Sequence, residues 1–116
     1  MRKLVSLVAL LALLSGCSTY APGEDKKGVA LQDVASQVLT AVRTYMDENA
    51  RPPRTLQDLV PKYLPAIPDE PHIKYDLKSM RLDFLYTQDD KAGAQVACHA
   101  VVGETEWVCT GIYQSQ

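Results

Sequence analysis

Apolar residues recur every three or four positions in the segment that follows residue 28. The larger ones form a stripe that smaller apolar residues widen: Leu31, Val34, Val38, Val42 and Tyr45, with Ala35, Leu39, Ala41 and Met46 beside them. This spacing is typical of an amphipathic helix that buries one face. The helix should end near Asn49, because Arg51 precedes Pro52 and a residue before proline is disfavoured in the helical conformation. The polar residues between the apolar ones are expected to face solvent: Gln32, Asp33, Ser36, Gln37, Thr40, Arg43 and Thr44.

Prolines punctuate the next segment, since six of the seven in the chain lie between Pro52 and Pro71. Apolar residues fill the gaps between them: Leu56, Leu59, Val60, Tyr63, Leu64 and Ile67. This pattern favours a compact elbow packed on the helix over an extended polyproline ligand. Thr55 and Asp58 nearly match a capping box, which predicts a short second helix over residues 56–60 that Pro61 should end or kink.

The pattern changes to strand-like alternation after residue 72. Four segments rich in β-branched and aromatic residues predict strands, at residues 73–77, 81–87, 94–102 and 105–113. The breaks between them are short, which favours an antiparallel meander. The predicted fold class is therefore α+β: an N-terminal amphipathic helix, a short second helix in a proline-rich elbow, and a four-stranded antiparallel sheet.

The last two predicted strands bring two cysteines together. If their hairpin is centred on Gly103 and Glu104, counting outward from the turn places Cys98 directly opposite Cys109. A two-residue turn and a four-residue loop both keep this pairing. Directly opposed residues lie within reach of a disulfide, so we predict a Cys98–Cys109 bond that stabilises the fold by about 2–3 kcal/mol.

The N-terminus has the pattern of a signal peptide: two basic residues, an apolar run over residues 4–14, and then small residues. The run is shorter than the roughly 20 residues that span a membrane. Leu14-Ser15-Gly16-Cys17 resembles the lipobox of bacterial lipoproteins. The resemblance implies a signal peptide at residues 1–16 and fatty acylation of Cys17, with palmitate among the chains. The alternative is a secretory signal that is cut elsewhere and leaves Cys17 as a free thiol.

A lipobox also implies a location. The mature protein would be held at a membrane of the cell envelope through Cys17, and Ser18 favours the outer membrane, facing the periplasm, if the host has two membranes. Residues 18–28 are small and polar, so residues 17–28 are expected to form an acylated, flexible tether. The remainder, residues 29–116, is enough for a single α+β domain.

Charge and motifs exclude several function classes. The chain has 12 basic and 14 acidic residues, and the leader removes Arg2 and Lys3 from the basic count. The mature chain is therefore acidic, without the basic footprint of a nucleic-acid-binding protein. Phosphate-binding loops, nucleophile elbows and zinc-protease helices do not occur in the sequence. We expect a protein that is not an enzyme and uses no cofactor.

The remaining candidate chemistry is limited. Cys98 and His99 are adjacent, but neighbouring strand residues point to opposite faces, so they do not form a metal site together. Asp89 and Asp90 are a calcium candidate, although the full acidic ladder of a dedicated calcium loop is missing. The strand aromatics Tyr86, Trp107 and Tyr113 could line a ligand surface, but packing against a helix is more usual.

One segment resembles a known family. Residues 51–71, RPPRTLQDLVPKYLPAIPDEP, are similar to the stretch in which type II secretion pseudopilins and related type IV pilin-like proteins leave their long helix and enter the sheet. With the flanking elements, the likeness covers residues 31–86. It implies a pseudopilin-like globular domain. The family's processing site and long apolar helix are absent here, and a lipobox and short tether stand in their place.

These observations lead to two expectations. The first is a lipid-anchored envelope protein that acts as a non-enzymatic structural or interaction module, with a protein partner and as an accessory of a type II secretion or pilus-like system. The alternative is a periplasm-facing lipoprotein that binds a small ligand, an ion or an inhibited enzyme through its sheet and the loop at residues 88–93.

Overall fold

The computed structural model describes residues 21–88, 94–104 and 106–112. In chain order these residues form helix α1 (Lys26–Asn49), a 3-10 helix (Leu56–Leu59) and four strands, β1 (Lys74–Asp76), β2 (Arg81–Thr87), β3 (Gln95–Val101) and β4 (Val108–Ile112). The strands make one antiparallel sheet in the order β1-β2-β3-β4. The predicted α+β fold class is confirmed.

The core lies between α1 and one face of the sheet. Alternate residues of the two central strands point towards α1 and are buried: Leu82, Phe84, Tyr86, Val96, Cys98 and Ala100. The apolar stripe of α1 covers them with Ala35, Val38, Leu39, Ala41 and Val42. Because side chains alternate along a strand, the residues between them lie on the opposite, outer face. This arrangement leaves Leu85 56% exposed, Val108 50% and Ile112 42%.

Helix α1 begins at Lys26, three residues before the predicted start. The flexible tether predicted for residues 17–28 was therefore wrong at its C-terminal end, where Asp25 and Gly28 are both buried. Gly28 is required for a close approach, because a Cβ there would collide with the Tyr86 hydroxyl. Residues 17–20 of the predicted tether, and the leader before them, lie outside the described residues.

The elbow, residues 52–71, contains the short 3-10 helix, whose start is capped as predicted. The carboxylate of Asp58 accepts hydrogen bonds from the backbone N–H groups of Arg54 at 2.9 Å and Thr55 at 3.4 Å. Leu56, Leu59 and Leu64 are buried against the core. The Tyr75 hydroxyl donates to the Pro53 carbonyl at 2.8 Å and ties the elbow to β1. The helix ends at Leu59, one residue earlier than predicted.

The β3–β4 hairpin has the predicted register, with Cys98 opposite Cys109 and His99 opposite Val108. Strand β4 begins at Val108 rather than at residue 105, so Trp107 lies outside the strand. Trp107 instead packs towards α1, as the strand aromatics were expected to do. Its Nε1 donates to Ser36 Oγ at 2.9 Å, and its ring meets Phe84 edge-on, with centroids 5.3 Å apart.

Candidate interaction groove

The residues predicted to carry chemistry fall in different places. Cys17, Asp89 and Asp90 lie outside the described residues, as does most of the loop proposed for small ligands. The sulfur atoms of Cys98 and Cys109 are 2.07 Å apart, which joins β3 to β4 covalently. Within residues 21–88, 94–104 and 106–112, no group of three or more His, Cys, Asp or Glu side chains could hold a metal ion.

An open groove of about 560 Å³ runs between α1 and the segment that follows the 3-10 helix. One wall consists of residues of α1: Asp33, Ser36, Gln37, Thr40, Ala41, Thr44 and Glu48. The other wall consists of Lys62, Tyr63, Leu64 and Pro65. Since an α-helix rises about 1.5 Å per residue, the wall from Asp33 to Glu48 is roughly 22 Å long. We call this feature the α1–elbow groove.

Local sequence explains both walls. On α1 the groove residues are three or four positions apart, so their side chains share one face of the helix. The opposite wall is fixed where the chain turns after the 3-10 helix, because the backbone N–H groups of Tyr63 and Leu64 both donate to the Leu59 carbonyl, at 2.8 and 3.0 Å. The Tyr63 ring packs edge-on against Tyr45, with centroids 5.4 Å apart.

The middle of the groove is polar but uncharged. Ser36, Gln37, Thr40 and Thr44 offer hydroxyl and amide groups along one wall, while buried Ala41 and Leu64 supply apolar surface. Thr44 Oγ1 donates back to the Thr40 carbonyl at 3.0 Å. A surface of this kind matches the groups of a peptide, whose backbone both donates and accepts hydrogen bonds.

Charged residues stand only at the two ends of the groove. Asp33 marks the end nearer the N-terminus of α1 and makes no ion pair within the described part of the chain. At the other end, Lys62 Nζ lies 3.0 Å from Glu48 Oε1. The hydrogen bond and charge of Glu48 raise the pKa of Lys62. The groove therefore has one unpaired acidic end and one neutralised end.

Apart from the groove, a buried polar cluster lies at the start of α1. Asp25 is only 4% exposed, and its Oδ1 accepts hydrogen bonds from the Tyr86 hydroxyl and, at 3.5 Å, from Gln88 Nε2. Asp25 Oδ2 is buried and has no partner among the described residues. Burial and the hydrogen bond to Asp25 raise the pKa of Tyr86 to about 12. This cluster fixes the point at which the chain enters the domain.

Comparisons with family models, curated proteins and solved structures found no match. The resemblances to lipoproteins and to pseudopilins therefore stay predictions. No helix in the described ranges is long and apolar enough to cross a membrane.

The sequence did not indicate the α1–elbow groove. The polar pattern predicts that the helical wall faces solvent, which is correct for exposed Asp33, Gln37, Thr40 and Thr44. The pattern does not show that the elbow lies across from them. One signal was present in the sequence. Between Asp33 and Glu48, the lining positions are Ser, Gln, Thr and Ala rather than the charged residues that usually cover a solvent-facing helix surface.

Proposed function

We propose that this protein is a lipid-anchored envelope protein that acts as a non-enzymatic interaction module and holds a segment of a partner protein in the α1–elbow groove. The observation that carries the proposal is the groove itself, with its uncharged polar wall and apolar floor. Its lining residues include no histidine or cysteine. Hydroxyl, amide and apolar groups line its middle, and the carboxylates of Asp33 and Glu48 stand apart at opposite ends, an arrangement that favours binding of a peptide segment over catalysis.

The groove also limits the chemistry of the partner. Its length of roughly 22 Å accommodates about 15 residues of helix or about 7 of extended chain. The segment should be uncharged along its middle. It should place a lysine or arginine beside Asp33, whose carboxylate makes no ion pair within the described part of the chain. The resemblance of residues 51–71 to pseudopilins suggests a component of a type II secretion or pilus-like system as the source of this segment.

The anchor is the second part of the proposal. Acylation of Cys17 would hold the domain at the outer membrane, facing the periplasm, in a host with two membranes. Support comes from the lipobox-like residues 14–17 and from the buried Asp25 cluster, which fixes the chain soon after the anchor. From there α1 carries the groove away from the anchored end, because Asp33 lies about 10 Å along the helix from Lys26.

The groove is tested by blocking it. We expect Thr40→Arg to reduce recovery of the partner from detergent-solubilised envelopes at least tenfold, because a long charged side chain would occupy the uncharged middle. Ala30→Arg is the matched control, since Ala30 is also exposed on α1 but lies outside the lining. A secretion-system component that the wild type and the control recover, and that Thr40→Arg loses, supports the proposal. Equal recovery with Thr40→Arg, or no specific partner with the wild type, overturns it.

The anchor is tested separately. Cys17→Ala should abolish incorporation of radiolabelled palmitate and release the protein from the membrane fraction. The control is Cys98→Ala combined with Cys109→Ala, which removes the other two cysteines and should leave the label in place. Labelling that persists in Cys17→Ala would refute the lipobox prediction.

A further inference from the structure

The two edges of the sheet differ in how well they resist pairing with another strand. Edge strands are normally protected by shortness, charge, proline or a bulge. Strand β1 is only three residues long and carries exposed Lys74 and Asp76. Strand β4 has five residues, Val-Cys-Thr-Gly-Ile, with no charge and no proline. Within the described residues, β4 pairs with β3 alone. Within the described residues, the β4 edge therefore lacks the shortness and charge that protect β1. Gly23 packs against the side chain of Cys109, which shares the inner face of the sheet with Cys98.

The backbone groups of β4 alternate in direction. In an antiparallel ladder, opposed residues about 4.5 Å apart at Cα do not exchange hydrogen bonds, whereas hydrogen-bonded pairs are about 5.5 Å apart. The Cα atoms of Cys98 and Cys109 are 4.0 Å apart, so this pair is of the first kind. The N–H and C=O groups of Cys109, and of Gly111 two residues on, therefore point away from β3 towards the open edge.

Because the outward backbone groups belong to Cys109 and Gly111, β4 is complementary to a second, antiparallel copy of itself. When two copies of β4 run antiparallel about a two-fold axis at Thr110, Cys109 of each copy faces Gly111 of the other. Both residues direct their backbone groups outward, so each such pair exchanges two N–H···O bonds. Val108 then faces Ile112 of the second copy on the outer face of the sheet, where both side chains are about half exposed in the single chain. Thr110 faces its own counterpart.

The same symmetry is compatible with a membrane anchor. A two-fold axis between antiparallel strands of one sheet is perpendicular to that sheet, so both α1 helices lie on the same side of it. Residue 21 of each copy is then at the same height along the axis, and both N-termini can reach one membrane. Two anchored copies would also meet at a raised local concentration.

We propose that two copies of this chain pair through β4, antiparallel and centred on Thr110, to form one continuous sheet. The interface is isologous, because each copy contributes the same five residues. Apolar contact between Val108 and Ile112 and the cross-strand threonine pair stabilise it, together with the backbone hydrogen bonds. This interface does not involve the α1–elbow groove and does not rest on the function proposed for it.

Charge at the two-fold axis tests the register directly. Thr110→Lys places two like charges opposite each other, and so does Thr110→Glu, so each variant alone should weaken dimerisation at least tenfold. Mixing the two variants sets lysine opposite glutamate and should restore the dimer. Thr87→Lys is the matched control, because Thr87 is exposed on the same outer face but lies on β2. The protein mass is measured by sedimentation of the full mature chain in detergent.

The expected result is the mass of two chains for the wild type, for Thr87→Lys and for the mixture, and the mass of one chain for each Thr110 variant alone. A monomeric wild type overturns the proposal, and so does a dimer that persists in Thr110→Lys. A mixture that stays monomeric overturns the two-fold axis at Thr110. Thr40→Arg should leave the dimer intact, so failure of the groove proposal and failure of this one are distinguishable.

Discussion

The two ends of α1 are attached to the rest of the domain in different ways. At the C-terminal end, the helix packs against the apolar elbow, where Leu59 and Leu64 are buried and Tyr45 meets Tyr63 edge-on. At the N-terminal end, the attachment is polar. Asp25 sits beneath Tyr86 and Gln88, with one carboxylate oxygen bonded and the other without a partner in the described part of the chain.

This difference determines how each end should respond to change. Apolar packing weakens in proportion to the atoms removed, and it does not depend on pH. A buried polar cluster responds to the loss of a single hydrogen bond, since a buried acceptor left without a donor carries its full desolvation penalty. The stability of the elbow end should therefore depend on side-chain volume. The stability of the Asp25 end should depend on whether the Tyr86 hydroxyl is present and protonated.

The largest effect is expected at the elbow. Leu59→Ala should lower the free energy of unfolding by about 2–5 kcal/mol, because it leaves a cavity beneath α1 at a residue that is 0% exposed. Leu85→Ala is the matched control on the outer face and should change stability by only about 0.5 kcal/mol. Both values come from urea unfolding followed by circular dichroism. Similar losses in the two variants would contradict an elbow-based attachment.

A smaller effect is expected at the Asp25 end. Tyr86→Phe should lower the free energy of unfolding by about 2 kcal/mol, because it removes a hydrogen-bond donor to a buried carboxylate while keeping the ring. Tyr45→Phe serves as the control, since the Tyr45 hydroxyl makes no hydrogen bond within the described residues. The same urea titration measures both.

The source of the Tyr86 effect can be isolated with a double variant. Asp25→Ala in the Tyr86→Phe background removes the stranded acceptor and should be less damaging than the sum of the two single changes. Strictly additive losses would mean that Tyr86 and Asp25 do not act together.

The elements whose residues interact locally were predictable. The boundaries of β2 match the prediction, because alternation along residues 81–87 reflects burial of one face. The opposition of Cys98 and Cys109 followed from counting outward from a short turn. The Asp58 cap was visible because its partners are only three and four residues away.

Features that depend on distant residues were not predictable in the same way. Residues 25–28 have the composition of a tether, and they belong to the domain because Tyr86, 61 residues from Asp25, lies over them. The α1–elbow groove likewise needs Lys62 to Pro65 to face α1, and no spacing within either segment shows that. Local periodicity reports which side of an element is buried, but it does not report which other element covers it.

The smallest effect is a dependence on alkaline pH, to which the Asp25 end should contribute through the Tyr86 hydroxyl. Because burial and the hydrogen bond to Asp25 raise the pKa of Tyr86 from 10.0 to about 12, the folded protein binds this proton more tightly than the unfolded chain does. Stability from this residue is therefore complete below pH 10 and is lost as pH rises towards 12, by roughly 1 kcal/mol at pH 11.

Urea midpoints at pH 8, 10 and 11 measure how stability falls with pH, and Tyr86→Phe should reduce this slope. Some slope should remain in that variant, because burial also raises the pKa of Tyr75. If stability falls equally with rising pH in the wild type and in Tyr86→Phe, deprotonation of Tyr86 does not weaken the Asp25 end.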